Sequence, residues 1–102
     1  MLETSNANGQ IFTGDVQLVH AVGMHARPAV KLTKLAKKFQ AQISVRVAGA
    51  AEWINAKSVA KIMAMRAAHG SMIEIKASGS DAKAAVAALV ELIAADFPDG
   101  IS

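Results

Sequence analysis

Residues 23–40 read Gly-Met-His-Ala-Arg-Pro-Ala-Val-Lys-Leu-Thr-Lys-Leu-Ala-Lys-Lys-Phe-Gln. Proline is tolerated in the first turn of a helix, where its missing N–H has no intrahelical partner to lose. Pro28 therefore sets a helix start at about Ala26 and places His25 at the cap. From there Ala29, Leu32, Ala36 and Phe39 recur at three- and four-residue steps, the stripe of an amphipathic helix running to Gln40. On either side the period changes from helical to alternating. Val16 and Leu18 alternate with Asp15 and Gln17, predicting a strand over Asp15–Val19, and Ile43, Val45 and Val47 alternate with Ser44 and Arg46 in a second.

Further outward the same reading predicts a short strand at Glu52–Ile54, a helix over Lys57–Ala68 that stops at Gly70, and a fourth strand over Met72–Ala77. A last helix over Asp81–Ala95 carries Ala82, Val86, Leu89 and Ile93 on one face and ends before Pro98 and Gly100. Ser58 or Asn55 is the expected cap of the second helix. The order β-α-β-β-α-β-α is an α+β pattern of two linked split β-α-β units, with helices covering one face of an antiparallel sheet. Residues 1–12 read as a polar, flexible arm, 13–98 as one domain and 99–102 as a tail.

The 102 residues are 53% hydrophobic, but aromatics reach only 4%, so the core is aliphatic. No apolar run approaches the roughly 20 residues of a membrane helix. Met1–Gln10 lacks the charged and apolar regions of a signal peptide. Cysteine is absent, which removes disulfides, zinc-thiolate sites and thiol nucleophiles. These features point to a soluble, cytoplasmic, single-domain protein, which is expected to be a monomer. The net charge of +3 is unevenly spread. Between His20 and Gly70 stand Arg27, Lys31, Lys34, Lys37, Lys38, Arg46, Lys57, Lys61 and Arg66 against Glu52 alone, while most acids lie outside that span. The basic segment is expected to face an acidic partner.

The chemistry concentrates at His25. A helix N-terminus presents unpaired N–H groups and the positive end of the helix dipole to an anion. Arg27 adds a planar cation able to grip phosphate oxygens bidentately. A neutral imidazole is nucleophilic near pH 7. Together they describe a site for a phosphoryl group carried on histidine. No spacing of His, Cys or carboxylates suggests a metal site, and no cofactor is implied. No Ser-His-Asp or paired-carboxylate constellation supports independent turnover, so the chain does not read as an enzyme. His20 and His69 have no supporting context and read as structural or solvent-exposed.

The segment Gly23-Met24-His25-Ala26-Arg27-Pro28-Ala29 resembles the phosphohistidine motif of HPr, the phosphocarrier family of the bacterial phosphoenolpyruvate-dependent sugar phosphotransferase system. Asn55-Ala56-Lys57-Ser58-Val59 resembles the segment around that family's regulatory serine, at the expected distance. The resemblance runs from about Asp15 to about Phe97. It implies an open-faced sandwich, four antiparallel strands covered on one face by three helices. It also implies that His25 takes a phosphoryl group on Nδ1 from enzyme I and passes it to IIA domains of sugar permeases, with Arg27 stabilising the phosphorylated state.

By the same resemblance Val59, Ala60 and Met63 belong to an apolar partner-binding patch, joined by Met24, Ala26 and Val30 beside the site. Ile62 and Met65 are expected in the core. Arg27, Lys31, Lys34 and Lys38 fall on one helix face and read as an electrostatic docking surface. Ser58 matches a serine that HPr kinase/phosphorylase modifies in some bacteria, and is equally a plain helix cap. Val22 departs from the family's polar residue at that place, and Trp53 is atypical. A domain of a multidomain or specialised (nitrogen-type, fructose or dihydroxyacetone) phosphotransferase system is an alternative, as is a purely regulatory relative. A basic RNA-binding domain is disfavoured because the strands Ile43–Val47 and Met72–Ala77 carry no aromatics for base stacking.

Overall fold

A computed structural model of the chain describes residues 10–98. The terminal stretches 1–9 and 99–102, most of the expected arm and all of the expected tail, lie outside the described residues. The elements are β1 (Ile11–Gln17), α1 (Ala26–Ala36), β2 (Gln42–Val47), β3 (Ile54–Asn55), α2 (Val59–Ala64), β4 (Met72–Ser78) and α3 (Ala82–Ala94). They form the expected α+β architecture: a four-stranded sheet in the order β1-β4-β2-β3, antiparallel throughout.

Alternation along each strand sorts the side chains onto two faces. Ile73, Ile75 and Ala77 of β4, with Ile43 and Val45 of β2, are buried under the helices. Glu74, Lys76 and Arg46 stand on the other face, where Arg46 Nε donates to Glu74 Oε1 at 2.6 Å. Trp53 lies there too, its ring about equally close to the Arg46 guanidinium and the Lys76 ammonium, 4.4 Å from each. Its indole thus covers part of the open sheet face as a cation–π partner. Under the helices Leu32, Ile62, Leu89, Leu92 and Ile93 are fully enclosed, each burial being worth roughly 1.5–3 kcal/mol. Helix α3 approaches β1 so closely that a Cβ at Gly14 would stand 2.9 Å from Val86 Cγ1, which is why that strand position carries no side chain.

Several boundaries differ from the sequence reading. β1 begins at Ile11, so Ile11 and Phe12 are strand residues paired with Ser78 and Ala77 rather than part of an arm. Val19 falls beyond the strand, although Leu18 still exchanges backbone hydrogen bonds with Gly70 and Ser71. α1 ends at Ala36 because Lys38 N–H and Phe39 N–H turn to the carbonyls of Leu35 and Ala36, tightening the last turn and tucking Phe39 against the core. α2 runs only from Val59 to Ala64. Arg66 takes a left-handed backbone (φ 53°) that ends it, and Ala67 drops into the core.

Candidate functional site

The loop before α1 is fixed by close backbone approach. Gly23 has φ +79°, and a Cβ there would lie 2.6 Å from the carbonyl oxygen of Ala67, so only glycine fits. The next residue, Met24, donates its N–H to that same oxygen at 2.8 Å. The loop is thereby pinned to the segment after α2, and its direction delivers His25 to the N-cap of α1 in extended conformation (φ −122°, ψ −166°). The His25 side chain does not cap the helix itself. Pro28 is buried in the first turn, and the first hydrogen bond runs from Ala29 N–H to the His25 carbonyl at 2.9 Å. The earlier N–H groups of that turn have no intrahelical acceptor.

A turn closed by Gly23 N–H on the His20 carbonyl, 2.9 Å, folds the chain back so that His20 meets His25. The two Nε2 atoms are 3.0 Å apart, with ring centroids 5.0 Å apart and planes inclined by 40°. On its other side His20 Nδ1 lies 2.8 Å from Asp96 Oδ1. The Phe97 ring meets the His20 ring edge-on at 6.1 Å. Asp96 and Phe97 both take left-handed backbone, φ 64° and 51°, at the end of α3. Such conformations cost a non-glycine residue about 1 kcal/mol or more each, so the placement of these two side chains is held against strain. An open cleft of about 300 Å³ borders the pair, with His20, Arg27, Lys31, Asp96 and Phe97 in its wall.

Of the residues singled out from sequence, His25 and Arg27 stand together at the start of α1, His25 half-buried and Arg27 exposed. Ala26, Val30 and Lys34 on α1, with Ala60 and Met63 on α2, are exposed; Val30 and Met63 are 49% and 40% accessible on helices that pack against each other. Val59 is half-buried against the core, Ile62 is enclosed and Met65 packs at the core edge. Ser58 is the N-cap of α2, its Oγ accepting from Lys61 N–H at 3.3 Å. Asn55 makes a different turn, its Oδ1 accepting from Lys57 N–H.

Two expectations are corrected. Met24, assigned to the partner-binding patch, is only 5% exposed and belongs to the hydrophobic core, because the Ala67 contact turns its side chain inward. Lys31, expected among the docking cations, reaches instead to the carbonyl of Phe97, with Nζ donating at 2.8 Å. His20, expected to be structural or solvent-exposed, lies in direct contact with His25. Its partner Asp96 lies 76 residues away, so no local spacing could reveal it; the turn at residues 20–23 was the one available signal. Among the described residues no group of three or more His, Cys, Asp or Glu side chains is placed to hold a metal ion. Among the same residues no helix is long and apolar enough to cross a membrane.

A family model described as "PTS HPr component phosphorylation site" matches residues 12–95. The chain is 35% identical over 86 residues to phosphocarrier protein HPr of Cupriavidus necator, covering 84% of this chain and 94% of that one. It is 37% identical over 84 residues to phosphocarrier protein NPr of Proteus mirabilis, covering 82% and 92%. Among solved structures, the HPr from Bacillus anthracis superimposes with a TM-score of 0.75 at 36% identity, over 81% of this chain and 96% of that one.

Proposed function

The chain belongs to the HPr family of phosphotransferase-system phosphocarriers, and from that premise we propose that His25 is its phosphoryl-bearing residue. The observation that carries this reading is the seat of His25: a half-buried imidazole at the N-cap of α1, engaged through Nε2 by His20, with Nδ1 left out of that contact and the side chain making no cap hydrogen bond. In the proposed transfer the Nδ1 lone pair attacks phosphorus on the incoming donor, phosphorylated enzyme I. An N–P bond forms, the bond from phosphorus to the donor's leaving atom breaks, and its electron pair departs with the donor. The Arg27 guanidinium and the first-turn N–H groups of α1 neutralise the phosphoryl oxygens. The reverse attack, by a nucleophile on a IIA domain, discharges the carrier.

The partner face in this proposal is the exposed surface of the two helices beside the site. Ala26, Val30, Ala60 and Met63 supply its apolar part and Val59 its edge, while Lys34 steers acidic partners. Ser58 sits at the start of α2 within this surface. A phosphoryl group there would add negative charge where partners approach. The similarity to an NPr supports a nitrogen-type branch as the second reading, with a different IIA domain as acceptor.

The test is incubation with phosphoenolpyruvate and enzyme I, read by intact mass. One acid-labile phosphoryl group is expected on the wild-type protein and none on His25→Ala. Wild-type protein that stays unmodified with enzyme I of both sugar and nitrogen branches overturns the proposal. Chase of the labelled carrier with sugar-type and nitrogen-type IIA domains distinguishes the branches.

A further inference from the structure

We infer that Asp96, His20 and His25 form a hydrogen-bonded relay that fixes the tautomer of His25, making His20 a positioning residue for phosphoryl uptake. The inference rests on the reading of His25 as the phosphoryl-bearing residue and adds a role for two residues outside the motif. The proton order follows from the donors available. An ionised carboxylate only accepts hydrogen bonds, so the 2.8 Å contact with Asp96 Oδ1 puts a proton on His20 Nδ1. A neutral His20 then has a lone pair at Nε2. The 3.0 Å contact with His25 Nε2 requires one proton between the two nitrogens, and it must come from His25. His25 is thereby held as the Nε2–H tautomer, and Nδ1 keeps the lone pair that attacks phosphorus. Without that constraint neutral imidazole divides between two tautomers, one of which has no lone pair at Nδ1.

The relay also acts during transfer. As Nδ1 bonds to phosphorus, positive charge develops on the His25 ring and its Nε2–H becomes a stronger donor. His20 Nε2 receives that hydrogen bond, and Asp96 behind it stabilises any proton shared with His20, as an orienting carboxylate does in a catalytic triad. The strained backbone at Asp96 and Phe97 is consistent with a carboxylate held in place for this contact. A second proton on His20 would reverse the arrangement. His20 would then donate from Nε2, and His25 would have to accept there and carry its proton on Nδ1. Uptake should therefore fall as His20 is protonated. The charged and titratable groups around His20 are His25, Asp96, Arg27 and Lys31, with His69, whose Nδ1 lies 3.2 Å from the His20 carbonyl.

Two readouts test this, each on the full chain with folding checked by the backbone amide spectrum. In the unphosphorylated protein at a pH where both imidazoles are neutral, ring nitrogen shifts should show His25 as Nε2–H in the wild type. Mixed tautomers should appear in His20→Ala and Asp96→Asn. In phosphorylation by phosphoenolpyruvate and enzyme I, the uptake rate should fall about tenfold in His20→Ala, the worth of one hydrogen bond to a developing charge. His20→Gln, whose amide oxygen can accept from His25, should recover part of that loss. An unchanged His25 tautomer in His20→Ala overturns the relay, as does uptake at the wild-type rate in that variant. If wild-type His25 takes up no phosphoryl group, the carrier reading fails, and the nitrogen shifts still decide the relay.

Discussion

Lys31 Nζ donates to the backbone carbonyl oxygen of Phe97 at 2.8 Å, joining α1 to the turn that follows α3 across 66 residues of sequence. That turn is the one holding Asp96 against His20. A lysine that helical spacing places among solvated cations is therefore a structural tie next to the site. Lys34, one turn step further along α1, is exposed. The two lysines should consequently respond differently to mutation. Lys31→Ala is expected to lower stability by about 1 kcal/mol, the net worth of a partly buried hydrogen bond. Lys34→Gln should stay within about 0.5 kcal/mol of wild type, while slowing association with an acidic partner and flattening its salt dependence. Urea unfolding and salt-dependent phosphotransfer kinetics measure both. Equal stability losses in the two variants would show that Lys31 is not a tie.

Ser58 separates a capping role from a charge role. Ser58→Ala removes the acceptor for Lys61 N–H and is expected to cost about 1 kcal/mol. Ser58→Asp supplies a good cap and a negative charge at the helix start, so its unfolding midpoint should match wild type or exceed it. If the surface around α2 binds partners as proposed, the Asp variant transfers phosphoryl groups more slowly and the Ala variant transfers normally. A slow, destabilised Ala variant beside a normal Asp variant would assign Ser58 to the cap alone.

Thr33 is 2% exposed on the inner side of α1, and its Oγ1 has no hydrogen-bond partner among the described residues. An unpaired buried hydroxyl costs about 1–3 kcal/mol relative to a satisfied one. Thr33→Val keeps the branched shape and removes the polar atom. It is expected to raise stability by about 1 kcal/mol, or roughly 4–8 °C in Tm for a domain of this size. Thermal unfolding decides it, and a lowered Tm would mean that the hydroxyl has found a partner in solution.

The architecture was readable because each element carries its own period. The alternation of Ile43, Val45 and Val47 and the stripe of Ala29, Leu32 and Ala36 both depend on neighbours a few residues away. The placement of His25 and Arg27 at the start of α1 was readable for a similar reason, since Pro28 fixes the helix start locally. What sequence missed depends on contacts across the fold. Met24 turns inward because of Ala67, Lys31 is drawn over by Phe97, and His20 gains its meaning from Asp96. Trp53, with no pattern around it, is explained by two cations brought beside it from β2 and β4. Helix ends were also misread, because the tightening of the chain at Lys38 and Phe39 and the left-handed turn at Arg66 leave no mark in hydrophobic periodicity.

Asp81 gives stability a defined acid dependence. Its two carboxylate oxygens accept the backbone N–H groups of Gln40 and Ala41, each at 2.8 Å, tying the start of α3 to the chain entering β2. The Gln40 hydrogen bond, helped by that of Ala41 and by the charge of Lys57, holds the carboxyl below its ordinary value of 3.8 against an opposing desolvation. The folded protein therefore binds this proton less readily than the unfolded chain does. Stability from Asp81 is fully present above the unfolded value and is lost as pH falls through the folded one. Asp81→Asn cannot titrate, and its amide nitrogen cannot accept one of the two N–H groups. The wild type should be the more stable protein near pH 6, and its advantage should shrink progressively below about pH 4. Thermal unfolding of both proteins from pH 7 to pH 2 follows the difference, and an advantage that stays constant across that range would mean that the two hydrogen bonds do not favour the ionised carboxylate.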